Sequence, residues 1–225
     1  MERILTFDVD WAPDSILDFV FNILECNGVK STWFFTHQSP VIEKMVKSPL
    51  IEVGIHPNFL PGSTQGQTQE EVMKNLAHLF PDARCVRTHA MFYSASIAEK
   101  FARFGMTIDS SIYHPGANPY RKIYNFGGDY NPIYRIPYTW ADDAVLVYDY
   151  PFWRESGVKY EVMCFHPIHI YLNSTDMQRY KDWKACKGVL TFFSDTGSPG
   201  IGRCLIDLIA KQDKEFKFLS EVVNG

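Results

Sequence analysis

The sequence predicts an α/β domain with a largely parallel sheet, open or closed into a barrel. Two observations carry this. Apolar strand-like runs alternate with amphipathic helical runs from residue 3 to about residue 109, and strands spaced by helices pair in parallel. Ionisable side chains also collect just past the strand runs. In a parallel sheet those ends share one edge, the edge where ligands bind. The 225 residues are 46% hydrophobic and 15% aromatic, enough for one domain over residues 1–225 with a substantial core.

The elements follow in order. RILTFDV (residues 3–9) is a buried strand, and the amphipathic stretch from Asp14 to Cys26 is a helix stopped by Asn27-Gly28. STWFF is the second strand, and SPVIEKMVKS is a short helix with Pro40 in its first turn. IEVGI is the third strand and ends at His56-Pro57. After a Gly- and Pro-bearing loop, Thr68 and Glu71 stand at capping-box spacing ahead of a helix. CVRTH is a strand, SASIAEKFARF a helix and GMTID a strand. Residues 110–132 are too rich in Tyr, Gly, Pro and Asn for one element. YRIPYTW and YEVMCFH are later strands, IGRCLIDLIAKQ is a helix, and FKFLSEVV closes the chain.

Charge and composition exclude several functions. A net charge of -4 without a basic cluster argues against nucleic acid as a partner. No apolar run reaches membrane-spanning length, and no secretory leader is recognisable, so a cytoplasmic protein is expected. The five cysteines lack C-x-x-C spacing and read as reduced thiols.

The chemistry lies at the strand ends. Strand one ends on Asp8 and Asp10. His37, His56, Arg87 with His89, and Asp109 follow the next four strands, and Asp142, Asp143 and His166 follow the late ones. Side chains two apart on a strand share a side, so Asp8 and Asp10 present two carboxylates together, and these repel unless a cation or proton intervenes. Carboxylate plus neutral imidazole is a ligand set for zinc or another divalent metal. His78, inside a helix, is expected to be a surface residue.

TFDVDW, EVGIHP, the strand-end Arg of VRTH, RIPYTWADD and the late FHP resemble, in that order, the motifs of the polysaccharide deacetylases, carbohydrate esterase family 4. The resemblance spans nearly the whole chain. It implies a distorted (β/α)7 barrel that removes acetyl groups from N-acetylated sugars with a divalent metal, most often Zn2+. By position, Asp8 matches the catalytic base, Asp10 the metal-binding aspartate, His56 the first metal histidine, Arg87 the arginine that orients the base and His166 the general acid. The second metal histidine of the family falls on Leu60. His89, two residues beyond Arg87, is the expected substitute, with His37 and His169 next in line. RTHAMFYS replaces a stretch that is proline-rich in the family. Trp11, Trp140, Tyr138, Tyr113 and Tyr120 are candidate faces for a sugar ring, and the loop from Asn58 to Gln67 is expected to line the cleft.

The function implied is metal-assisted amide hydrolysis of an N-acylated sugar, a precursor in surface-polysaccharide synthesis, with Asp8 taking a proton from water and His166 giving one to the leaving amine. The rivals are a same-fold hydrolase of another C–N bond, such as a formyl sugar or ureide, and a glycan-binding domain without catalysis, which the Leu60 departure favours.

Overall fold

The computed structural model describes residues 2–115, 121–127, 129–148, 160–186, 199–211 and 215–224. Five strands come first: β1 (Glu2–Asp8), β2 (Ser31–Phe35), β3 (Ile51–Ile55), β4 (Cys85–Val86) and β5 (Ile108–Asp109). Between them run α1 (Asp14–Cys26), α2 (Pro40–Met45), α3 (Gln69–Leu79) and α4 (Ala95–Arg103). The later strands are β6 (Lys122–Tyr124), β7 (Ile133–Arg135), β8 (Trp140–Ala141) and β9 (Tyr160–Phe165). Helices α5 (Asp142–Tyr148), α6 (Pro167–Tyr171), α7 (Met177–Ala185), α8 (Ile201–Ala210) and α9 (Glu221–Asn224) complete the chain.

The nine strands form one sheet in the order β6-β7-β5-β4-β3-β2-β1-β9-β8, parallel except for the β6–β7 pair. The sheet curls into a half-barrel, and one isolated bridge, Tyr113 to Tyr138, joins the segment after β5 to the segment before β8. The α/β barrel class is therefore correct, as a mixed α/β single domain. Residues 110–132 are not wholly irregular: β6 lies inside that stretch and pairs antiparallel with β7 just beyond it. Its two exposed positions, Lys122 and Ile123, give no apolar alternation to read.

Strand alternation separates two cores. Leu5 and Phe7 face the helices, where Phe7, Trp33, Phe35 and Phe80 stack in a row and α1 buries Ile16, Leu17, Val20, Phe21 and Leu24. Ile4 faces inward with Phe34, Cys85, Ile108 and Cys164. Thr6 and Asp8 have the parity of Ile4, so the acidic strand end opens into the barrel. Asp8 pairs with Phe34 and Phe34 with Gly54. A Cβ on Gly54 would lie 2.7 Å from the Phe34 ring, so only glycine leaves that ring its place. The helix starts follow their predicted chemistry. Ser39 and Thr68 cap α2 and α3, Pro40 sits in the first turn of α2, and Thr68–Glu71 forms a full capping box.

Candidate active site

β1 stops at Asp8, and the chain then turns through left-handed backbone at Asp10 (φ 43°) and Trp11 (φ 56°). That conformation costs roughly 1–2 kcal/mol per residue outside glycine. A second left-handed pair, Ala90 and Met91, follows His89. The two turns meet: the Trp11 and His89 rings lie edge to face at 5.5 Å. The carboxylates are thus not two equivalent strand positions, and they divide between two sets of partners.

Asp8 points inward to Arg87. The Arg87 Nη1 donates to Asp8 Oδ1 at 3.0 Å and to Thr6 Oγ1 at 2.8 Å, while its Nε and Nη2 donate to the Ser110 carbonyl and hydroxyl. The guanidinium lies between the Phe34 ring (4.4 Å) and the Tyr138 ring (4.5 Å). Both members are buried, and a buried charge persists only when paired and hydrogen-bonded. The Cys164 thiol donates to the other oxygen of Asp8 at 3.4 Å. Burial and the neighbouring Asp8 charge push that thiol well above the usual range, so it stays a neutral donor.

Asp10 gathers the imidazoles. Its Oδ1 lies 3.1 Å from His56 Nε2 and 3.0 Å from His89 Nδ1, and its Oδ2 lies 3.6 Å from His166 Nε2. Burial raises the carboxyl, but the hydrogen bonds with His56 and His89 outweigh it and hold Asp10 well below the ordinary range. His166 is gripped from behind by Asp142, which accepts from the His166 Nδ1 side at 2.6 Å and from the His166 backbone N–H at 2.7 Å. Burial disfavours the imidazolium, yet the adjacent Asp142 charge dominates and raises His166 well above the usual value.

Among the described residues, three groups of side chains could hold a metal: Asp10–His56–His89, Asp8–Cys164–His166 and Asp142–Asp143–His166, the ligand atoms of each lying within 4.8 Å of one another. Asp10–His56–His89 has the best donor set. Two imidazole nitrogens face one carboxylate, and none of the three is paired with an arginine or lysine among the described residues; His166 approaches only the far oxygen of Asp10, at 3.6 Å. Asp8 already carries the Arg87 charge, and Asp142 already holds His166. His56 Nδ1 is buried without a hydrogen-bond partner among the described residues, so its tautomer is set from the Nε2 side alone.

The expected site residues are distributed unevenly. Asp8, Arg87, Asp10, His56, His89 and His166 come together at one sheet edge. His89 arrives by a different route from the one expected. β4 ends at Val86, and His89 opens a short 3-10 turn rather than continuing a strand. Leu60 lies in a turn whose N–H donates to Asn58 Oδ1. His37 bonds Thr36 Oγ1, and His78 is exposed. Two of the aromatic expectations need correction. Trp140 and Tyr138 are each 8% exposed. Trp140 packs on Phe165, and Tyr138 is spent on Arg87 and on a stacked Tyr113. Tyr138 fills the barrel interior, whereas Trp140 lies on the opposite, helix-facing side of the sheet with Phe7 and Phe165. Trp11, 37% exposed, keeps a free ring face. Tyr120 lies outside the described residues. Asp109 is fully buried against Arg135 at 2.6 Å and stands apart from the cluster.

Asp142 is among the strand-end residues read from sequence, but its place behind His166 is not; Thr6 and Ser110 around Arg87, Cys164 against Asp8, and Gln65 carry no role in the sequence reading. Gln65 is buried; its Nε2 donates to the Thr36 and His56 carbonyls, both at 3.0 Å, and its Oε1 accepts from Asn58 N–H at 2.6 Å. The loop from Asn58 to Gln67 thus clamps the ends of β2 and β3. Its Thr64 and Gln65 also border a cleft of about 460 Å3 that Trp11 and His37 share. Only the acidic doublet of TWADD was a signal in the sequence.

No curated protein sequence matches the chain. The chain does resemble a Bordetella bronchiseptica protein assigned as a polysaccharide deacetylase involved in O-antigen biosynthesis. The two are 31% identical over 93% of this chain and 90% of that one, with a TM-score of 0.80. A Mycobacterium smegmatis protein assigned as a polysaccharide deacetylase (16% identity, 99% and 89% coverage, TM-score 0.59) and the Bc1960 peptidoglycan N-acetylglucosamine deacetylase (13%, 98% and 86%, TM-score 0.53) share the fold. The WbmS-like polysaccharide deacetylase model matches residues 5–184, and the chain belongs to that family.

Proposed function

We propose that this protein is a metal-dependent hydrolase that removes the acetyl group from an N-acetylated sugar, a precursor in surface-polysaccharide biosynthesis. The observation that carries the reading is a division of labour at one sheet edge. A carboxylate fixed by an arginine, a carboxylate shared by two imidazoles and a third imidazole fixed by a carboxylate lie side by side. Binding alone needs no such set. The relationship to the Bordetella protein supports the biosynthetic setting.

A divalent metal, Zn2+ in this reading, would be held by Asp10, His56 and His89 and would supply the Lewis acidity that activates water and polarises an amide carbonyl. Arg87 pairs with Asp8 and aims it, so that Asp8 can take a proton from water. His166, kept cationic by Asp142, donates its Nε2 proton to the departing amine, which is otherwise an amide anion and a very poor leaving group. The products are acetate and the free amino sugar. The test combines elemental analysis of protein never exposed to chelator with acetate release from N-acetylated sugars. One bound divalent metal and acetate release are expected. Absence of metal together with no uptake of added zinc would sink the reading.

A further inference from the structure

Resting on that hydrolase reading, we infer that α7 is the substrate shelf of this cleft, shaped for a single N-acylated sugar bearing an anionic substituent. The cleft, about 380 Å3, begins at Asp10 and His166 and continues to Tyr180, Trp183 and Lys184. That is the low end of the size range of small-molecule sites, which suits one substituted ring better than a polymer strand. Met177, Tyr180 and Lys184 recur at helical spacing with Trp183 beside them, a pattern that normally faces a core. Here α7 fully buries none of its residues: Met177, Tyr180 and Trp183 rest on the rim of the core and also line the cleft. Tyr180 and Trp183 stack nearly parallel, with centroids 6.1 Å apart and planes 13° from alignment. His169 links the shelf to the chemistry, its ring edge-on to both Tyr180 (5.3 Å) and His166 (5.8 Å).

The charge pattern selects the ligand. The Lys184 ammonium rests 4.4 Å over the Tyr180 ring and forms no ion pair among the described residues. An anionic group can draw it off that face, while the aromatic pair takes the apolar side of the ring. Asp143 borders the same cleft near His166. It is placed to accept sugar hydroxyls, and it keeps the anion at the Lys184 end. A phosphate and a carboxylate share this chemistry.

Calorimetric binding to the full-length protein separates them. The probes are N-acetylglucosamine 1-phosphate, N-acetylglucosaminuronic acid and neutral methyl N-acetylglucosaminide. An anionic probe should bind more tightly than the neutral one, and whichever wins identifies the anion. Lys184→Gln should weaken the anionic probe by about 2- to 5-fold, the range of a partly exposed ion pair, and spare the neutral one; Lys184→Arg should restore the preference. Trp183→Ala should weaken all probes by about 3- to 10-fold. Equal affinity for charged and neutral probes, a Lys184→Gln effect on all three alike, or an unchanged Trp183→Ala would overturn the inference. Binding with this pattern but no acetate release would instead leave the shelf standing and remove the hydrolase reading.

Discussion

Replacing Gln65 by Ala tests whether the loop after His56 is a clamp. In the wild type its amide satisfies two backbone carbonyls and one backbone N–H. The methyl side chain leaves all three without that partner. A buried polar group left unpaired costs about 1–3 kcal/mol. The carbonyls keep a second lone pair, and the Asn58 N–H is only partly buried, so the low end applies to each. The expected loss is about 2–4 kcal/mol of stability, read as a shifted midpoint at constant slope in urea unfolding. The His56 carbonyl is one of the freed groups, so the imidazole also loses its anchorage. Outer partners of metal ligands typically contribute about 10- to 100-fold in affinity, and about 10-fold weaker zinc binding is expected in a chelator competition. Gln65→Glu, which keeps the size but turns the donor into a carboxylate facing two carbonyls, should be at least as damaging at pH 7. A Gln65→Ala protein within about 0.5 kcal/mol of wild type and with unaltered zinc affinity would refute the clamp.

His89→Ala should lose metal, because one of three proposed protein ligands is gone; full metal content in that variant would refute the ligand assignment. His166→Ala should keep metal and fold but lose about 10²- to 10⁴-fold of amide turnover, with a smaller loss on an aryl acetate ester, whose leaving group departs unprotonated. Equal losses on amide and ester would rule out leaving-group protonation. Burial pushes His169 down to about 4, below the ordinary unfolded value of about 6.5. Its stabilising share is therefore complete above about pH 6.5 and drains as pH falls toward 4, by about 2 kcal/mol between pH 7 and pH 5; His169→Gln should flatten that part of the urea-unfolding profile. Gly54→Ala should cost about 1–3 kcal/mol by overpacking, since the new Cβ meets the Phe34 ring that flanks Arg87, and thermal unfolding would register it.

The first hundred residues of this chain carry their fold in local patterns. α1 falls over Asp14–Cys26 as its apolar spacing indicates, and the capping signals at Ser39-Pro40 and Thr68–Glu71 mark helix starts. The strand ends also mark which residues gather at the edge, because parallel strands must deliver their C-terminal residues to one side. Beyond Asp109 the local signal fades. α5, α6 and α7 were not anticipated, since α6 has only five residues and α7 divides its aromatic face between the rim of the core and a cleft, burying no residue fully. Tertiary structure alone decided the pairings: Arg87 with Asp8 across the barrel, Asp142 with His166 across 24 positions of sequence, and Gln65 with the ends of two strands. It also decided that His89 reaches Asp10 from a turn, that Tyr138 faces the barrel interior and that Trp140 is buried on the helix side. Periodicity is a property of neighbours along the chain, whereas a partner is chosen by strand order. Placing β1 between β2 and β9 is what sets Asp8 beside Cys164 and His166, and no spacing within a single segment encodes that order.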